Sequence, residues 1–287
     1  MQTYIVVDSS QQPGLYRKLA RYQVQFRSLF QGFAEESLPE IAPLLVKLPD
    51  KDEPLKRRID ADIEHLSQTR PCVCKLESSL GLDALAQSLS QFHIVEVPTE
   101  RRMIMRWYDT RVLPVWWNVL LPTQRAAFAQ GVMRWSYYDR FGDEAQLDLS
   151  GLAEVPVVTP LVLTEAQYAR LLHAAEPDVL IAHLRNVIRD EMRAVPARIL
   201  YPFVAHHLEA ARQHGLYDFD DQTQYLLIAL YTSGQFVGHP EVTARLSIDA
   251  TAHEQSFGDW ATSLPESIWN TGLPLWQNAG SSDLQPV

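Results

Sequence analysis

The chain has 287 residues, of which 46% are apolar and 10% aromatic, and its 25 basic and 35 acidic side chains give a formal net charge of −10. This composition supplies a packed core, and it argues against a general nucleic-acid binder because counterion release needs clustered cations. Residues 1–160 carry 18 basic and 20 acidic groups (−2), whereas residues 161–287 carry 7 and 15 (−8). We therefore expect a basic partner to be attracted first to the second half.

In the first half, short apolar runs alternate with amphipathic helical stretches. The runs predict strands at residues 3–7, 44–48, 72–76, 103–107 and 133–137. Asp8, Ser9 or Ser10 is expected to cap a first helix that begins near Pro13. Strands that alternate with helices indicate an α/β (α+β) N-terminal lobe over residues 1–160, in which helices flank a mixed sheet.

The second half has a helical periodicity. Residues 143–163 are extended and contain two prolines, which is typical of a sheet edge and connector. An all-α lobe is predicted over residues 161–258, with one helix from Thr164 to residue 175, a second apolar stripe over 180–188 and further helices after it. Residues 259–287 form a C-terminal tail that contains three of the seven tryptophans: Trp260, Trp269 and Trp276.

The sequence gives no sign of secretion or membrane insertion. No run reaches the roughly 18 apolar residues that span a bilayer, and the start, MQTYIVVDSS, lacks the basic region of a signal peptide. Cys72 and Cys74 lie two apart in a strand-like run, which suits small buried side chains in a reducing compartment. We expect a soluble, cytoplasmic protein.

Catalytic, cofactor and metal motifs are missing from the sequence. It contains no G-x-S-x-G elbow, no Walker loop, no G-x-G-x-x-G after the first strand and no H-E-x-x-H helix. Asp218, Asp220 and Asp221 resemble the start of a calcium loop, but its glycine and glutamate are absent, so a helix N-cap at Asp220 or Asp221 is the better interpretation. His206 and His207 are adjacent on a helix and diverge by roughly 100°, which prevents a shared metal. We predict no catalytic residue, no cofactor and no metal site.

Residues 101–135 carry the most informative pattern. Arg106 lies in a predicted strand that is otherwise apolar, so its guanidinium needs a carboxylate or carbonyl partner. Asp109 and Arg111 follow at the strand end, where Asp109 can cap the next helix. The interpretation we favour is a structural ion pair that fixes the turn from strand to helix. The alternative is a hydrolase-like enzyme that uses Asp109 with a histidine of the helical lobe.

The same segment resembles a known family. Residues 105–112 read MRWYDTRV, and LPTQ at 121–124 and Trp135 follow. This block, which includes Arg106, Tyr108, Asp109 and Arg111, resembles the Phe-Arg-Phe-Tyr-Asp-Pro-Arg-Val signature of a domain-of-unknown-function family of type VI secretion effector adaptors, or chaperones. Thr110 replaces the usual proline. The resemblance covers about residues 3–250.

The resemblance implies a non-catalytic function. Such adaptors bind a cognate toxic effector in the producing cell and help to load it onto the VgrG spike. Trp260, Trp269 and Trp276 are candidate contacts for that partner, because tryptophan is enriched at interface hot spots. Alternatively, they pack on the chain's own surface and hold the tail in place. A structural component of the secretion apparatus is a further alternative.

Overall fold

The computed structural model describes residues 1–49, 54–99, 101–247 and 254–278. The chain divides into two compact units, Met1–Ala174 and Ala175–Val287. The division falls later than the predicted boundary at residue 160, because residues 161–174 are held in the first unit. Leu161 pairs with Val95 in a sheet, and the Gln167 side chain donates to the Val119 carbonyl at 2.9 Å.

Strands of the first unit form two sheets within the described residues. The strands are β1 (Gln2–Asp8), β2 (Phe26–Ser28), β3 (Pro43–Lys47), β4 (Val73–Ser78), β5 (Ile94–Glu96), β6 (Arg102–Ile104), β7 (Val132–Tyr138), β8 (Glu144–Gln146) and β9 (Leu161–Val162). The larger sheet has the order β2-β3-β1-β4-β7-β8, and every neighbouring pair is antiparallel. The smaller sheet has the order β6-β5-β9, with an antiparallel β5–β6 pair and a parallel β5–β9 pair.

Helices accompany these sheets in the first unit. They are α1 (Leu15–Arg21), α2 (Pro54–Thr69), α3 (Leu82–Ser90), α4 (Leu113–Val119) and α5 (Pro122–Phe128). The predicted fold class is confirmed: a mixed and antiparallel sheet region with flanking helices precedes a helical region. β1 lies at the centre of the larger sheet because residues 4–7, Tyr-Ile-Val-Val, are apolar on both faces and fully or almost fully buried.

The strand predicted at residues 103–107 is wrong in its extent. β6 ends at Ile104, and the side chains of Met103 and Ile104 are 42% and 44% exposed. Arg106 therefore lies in the turn after β6 and not within a strand. Trp107 is buried for a different reason, since its ring packs on Phe128 and Trp135 with centroid distances of 5.4 and 5.7 Å.

The second unit is helical in its described part. Its elements, beginning with the helix that enters it from the first unit, are α6 (Glu165–Val187), α7 (Arg189–Ala194), α8 (Ala197–Gln213), α9 (Phe219–Thr232), α10 (Pro240–Leu246), α11 (Phe257–Ala261), α12 (Glu266–Trp269) and α13 (Leu275–Asn278). The two separate helices expected over residues 164–188 are one continuous helix, α6, which contains Pro177. Pro177 separates the two predicted apolar stripes, and a proline lacks the backbone N–H of a helix interior, so the sequence suggests a break that the structure does not have.

The described part of the predicted tail packs into the second unit. Ile268 and Leu275 are completely buried and complete two hydrophobic clusters with α8 and α9. The Ser233 hydroxyl donates to the Leu273 carbonyl at 2.6 Å and accepts from the Asn278 amide at 2.8 Å. Residues 279–287 of the predicted tail lie outside the described residues.

Gly272 permits a close approach between this segment and α9. A Cβ atom at Gly272 would lie 2.2 Å from the Thr232 carbonyl oxygen, closer than any real contact. We predict that Gly272→Ala displaces residues 266–278 and lowers the free energy of unfolding by about 2 kcal/mol. Hydrogen exchange of the Leu275–Asn278 amides should accelerate at least tenfold.

Gly238→Ala is the matched control, because a Cβ at Gly238 meets no atom within 4 Å and its φ angle lies outside the left-handed region. Unchanged exchange in Gly272→Ala would show that the segment does not depend on this approach.

Candidate functional site

The chain turns sharply between β6 and α4, where the recognisable block lies. The Asp109 amide donates to the Arg106 carbonyl at 3.0 Å, and the amides of Val112 and Leu113 donate to the Asp109 carbonyl at 2.9 and 3.0 Å. The Thr110 amide donates to the Pro71 carbonyl at 3.1 Å, which joins this turn to the chain before β4. Backbone hydrogen bonds alone therefore define the path of this turn.

Arg106 has the carboxylate partner that its position requires. Its Nη2 donates to Asp8 Oδ2 at 2.7 Å, across 98 residues of sequence. Asp8 is completely buried at the end of β1, and its other oxygen, Oδ1, accepts from the amide and hydroxyl of Ser10 at 3.0 and 2.6 Å. Both oxygens of this buried carboxylate are thus occupied, as a charge removed from water requires.

Asp109 pairs with Arg111 in a two-pronged contact. Arg111 Nε lies 3.0 Å from Oδ1 and Nη2 lies 2.6 Å from Oδ2, while the Arg111 amide also donates to Oδ1 at 3.0 Å. The expected capping role of the Asp109 side chain is wrong, because Val112 occupies the N-cap of α4 without a side-chain bond. The backbone carbonyl of Asp109 receives the first helical amides in its place.

Burial and the charge of Asp8 together shift the pKa values of Arg106 and Tyr108 in this turn. Burial lowers the pKa of Arg106, but the hydrogen bond and charge of Asp8 outweigh it and raise that pKa overall. Burial is also the main reason that the pKa of Tyr108 lies well above its usual value. The charged guanidinium of Arg106 thus lies beside the neutral phenol of Tyr108. The Asp8 carboxylate is bound by Arg106 and Ser10, and the Asp109 carboxylate is bound by Arg111.

The two cysteines are free and buried. Burial raises the pKa of the Cys72 thiol to about 12, and the nearby charge of Asp8 contributes in the same direction. Burial likewise raises the pKa of the Cys74 thiol to about 12. Both thiols are protonated near neutral pH and lack the thiolate character of a nucleophile or metal ligand.

Two aspartates of the acidic run at residues 218–221 form structural hydrogen bonds. Asp218 caps α9 by accepting from the Asp220 amide at 2.9 Å, so the N-cap lies two or three residues before the predicted positions. Asp221 accepts from the Gly258 amide at 2.8 Å. Among the described residues, no three His, Cys, Asp or Glu side chains are grouped so that they could hold a metal ion.

The two adjacent histidines of α8 have separate environments. His207 packs on Phe203 at a centroid distance of 4.3 Å, whereas His206 is exposed. Burial lowers the pKa of His207 to about 4, so its ring is neutral near pH 7. The ring therefore packs as a neutral aromatic group against Phe203.

The three C-terminal tryptophans are half-buried against their own unit. Tyr231 of α9 lies between the rings of Trp269 and Trp276, at centroid distances of 5.7 and 4.8 Å and nearly perpendicular to both. Trp260 packs on Phe257 at 5.3 Å, and the Arg245 guanidinium lies 5.8 Å from the Trp260 centroid. Each tryptophan thus has an intramolecular contact, and part of its surface remains exposed.

Sequence reasoning did not identify a groove within the second unit. Its apolar part includes Leu184, Val187 and Leu227, and its polar part includes Gln224 and Ser256. Aspartates also line it, namely Asp218, Asp220, Asp221 and Asp259. The negative charge of the second half is therefore concentrated partly at one concave surface.

Comparison with known proteins gives one finding for the first unit. Residues 3–127 match the model of a family described as "Domain of unknown function (DUF4123)". This range is similar to that domain. The match includes both partners of the Asp8–Arg106 pair and the whole of the Asp109–Arg111 pair, and it ends within α5. No curated protein and no solved structure matches the chain.

A search of the described residues finds no helix with the length and apolar character needed to cross a membrane.

The Asp109–Arg111 pair is expected to stabilise the turn. Asp109 is almost completely buried and the Arg111 side chain about one-third exposed. We predict that Asp109→Asn lowers the free energy of unfolding by about 2 kcal/mol, because the buried side chain at this position then no longer offers a charge to the Arg111 guanidinium. Urea denaturation followed by circular dichroism measures this change.

Asp83→Asn is the matched control. Asp83 pairs with Arg27 but is largely exposed, and such surface pairs contribute roughly 0–1 kcal/mol to stability. Equal effects of the two substitutions would contradict the structural importance of the Asp109 pair.

Proposed function

We propose that this protein is a non-catalytic adaptor, or chaperone, that binds a cognate type VI effector and helps to load it onto the VgrG spike. The observation that carries the proposal is the match of residues 3–127 to the domain of unknown function, together with the block at residues 105–112. That block resembles the signature of the effector-adaptor family. The partners are then a toxic effector and VgrG, and binding takes place in the bacterial cytoplasm.

The geometry of the block supports a scaffold role. Asp8 is committed to Arg106 and Ser10, and both oxygens of Asp109 contact Arg111. The hydrolase alternative requires the Asp109 carboxylate to accept a proton or activate a nucleophile, for which it would first have to leave Arg111. The contacts are those of a group that shapes the backbone around it.

Co-expression tests the adaptor proposal directly. The full chain is co-expressed with the toxin-like protein and the VgrG protein encoded beside its gene, and tagged protein is recovered and analysed by size exclusion. We expect a stable complex with the toxin-like protein. The protein should be absent from assembled secretion particles, whereas a structural component would be recovered in them in stoichiometric amount. Failure to bind any neighbouring effector or spike protein would contradict the proposal.

Electrostatic attraction by the second unit should influence the rate of association. We predict that the association rate constant with the effector falls by about tenfold between 50 and 300 mM NaCl, because exposed charges are screened over a few ångströms at high salt. The double variant Asp220→Asn/Asp259→Asn should reduce that dependence, since both residues line the groove. Stopped-flow or surface-plasmon-resonance measurements provide the rates.

The matched control is Asp190→Asn/Glu209→Gln, which removes the same charge at exposed positions that do not line this groove. Salt-insensitive association would show that the acidic surface serves solubility alone.

A further inference from the structure

The smaller sheet of the first unit has an exposed edge at β6. β6 pairs with β5 on one side and is the terminal strand of its sheet. All three of its residues are exposed, whereas the three residues of β2, an edge of the larger sheet, are all half-buried. Natural proteins usually protect edge strands, because an open edge pairs readily with another chain.

The backbone of this edge is oriented for pairing. The Val97 amide donates to the Arg101 carbonyl at 2.9 Å, and the Met105 amide donates to the His93 carbonyl at 2.8 Å. Met103 lies opposite Val95 between these two bonds. In an antiparallel ladder, alternate residues face the partner strand, so the amides and carbonyls of Arg102 and Ile104 point away from β5.

Side chains at the edge give it apolar and basic character. Met103 and Ile104 are both more than two-fifths exposed, and consecutive strand residues point to opposite faces of the sheet. Arg101 and Arg102 are exposed at the start of β6, and Arg106 is about half exposed just after its end. Arg106 is paired with Asp8, and Glu96 of β5 lies opposite Arg102. An added strand would therefore contact one apolar side chain on each face, with the exposed Arg101 and Arg102 side chains at the N-terminal end of β6.

The charges discriminate between possible occupants. If β6 of a second copy paired with this edge, the arginines of both copies would share one short ladder, and like charges across strands are destabilising. A strand with apolar residues and carboxylates would instead complement the edge in hydrogen bonding, surface and charge.

We propose that β6 binds its client by strand addition, receiving an extended segment of the effector that carries apolar and acidic side chains. The inference rests on the proposed adaptor function and assigns its contact surface. It places client recognition in the part of the chain that matches the domain of unknown function, next to the turn that Asp8 and Arg106 hold. No covalent step is involved.

Proline substitution tests the edge with little effect on the sheet. Ile104→Pro removes an amide that points away from β5, so it deletes a donor to the client strand and no β5–β6 bond. The probe is the toxin-like protein encoded beside the gene, and binding to the full chain is measured by biolayer interferometry. We expect Ile104→Pro to weaken binding at least tenfold and Arg101→Gln/Arg102→Gln to weaken it about threefold. Ile104→Val, which keeps the amide and most of the apolar surface, should bind as the unchanged protein does.

Hydrogen exchange of the unchanged protein supplies a second measurement if Ile104→Pro does not fold. The amides of Arg102 and Ile104 should become protected when the effector is added. Formation of a complex without that protection, or equal binding by Ile104→Pro and Ile104→Val, would overturn the edge inference and leave the adaptor function intact. Conversion of a free dimer to a monomer by Ile104→Pro, with client binding unchanged, would assign the edge to a second copy and also overturn the inference. Failure of the unchanged protein to bind any neighbouring effector would contradict the adaptor function itself.

Discussion

The buried carboxylate of Asp8 is the constraint on which the first unit depends. It lies at the end of the central strand β1, and a charge in this position is stable only when its oxygens are satisfied. Arg106 satisfies one oxygen and Ser10 the other. Because Arg106 lies between β6 and α4, this contact connects the centre of the larger sheet to the exposed edge of the smaller one. A scaffold of this kind gives the edge at β6 a defined position.

The two units present surfaces of opposite character. The edge at β6 exposes Met103 and Ile104 with Arg101 and Arg102 at its start, whereas the groove of the second unit is lined by four aspartates beside apolar side chains. Under the proposed adaptor function, these surfaces would select different parts of a client: the first would favour an acidic extended segment, and the second would attract a basic region and increase the rate of encounter. The aromatic contacts of Trp269 and Trp276 with Tyr231 stabilise the second unit, so these tryptophans serve the fold whether or not a client also contacts them.

Sequence patterns predicted the long elements and missed the contacts between distant residues. Continuous apolar runs were enough to predict β1 and β3, and helical periodicity predicted the helical character of the second unit but not the bounds of its helices. β5 and β8 contain three residues each, too few to establish a period of two. The residues around Arg106 predict a carboxylate partner, but they do not identify Asp8, which lies 98 residues away. Asp8 does cap a helix, the 3-10 turn at Ser9–Gln11, whereas α1 begins only at Leu15, after Gly14 and without a side-chain cap. The sequence does not predict the exposed edge at β6. Trp107 extends the apolar alternation beyond Ile104, although its ring belongs to the aromatic core and not to the strand.

Delivery of the effector by living cells is the most direct test of an adaptor function. The measurement compares secretion of the neighbouring effector and of VgrG by cells with and without this protein. An adaptor predicts that its loss abolishes recovery of the effector with the spike while VgrG itself is still secreted, and that the full-length chain restores recovery. Normal delivery of the effector without this protein, or simultaneous loss of effector and VgrG, would contradict a dedicated loading role.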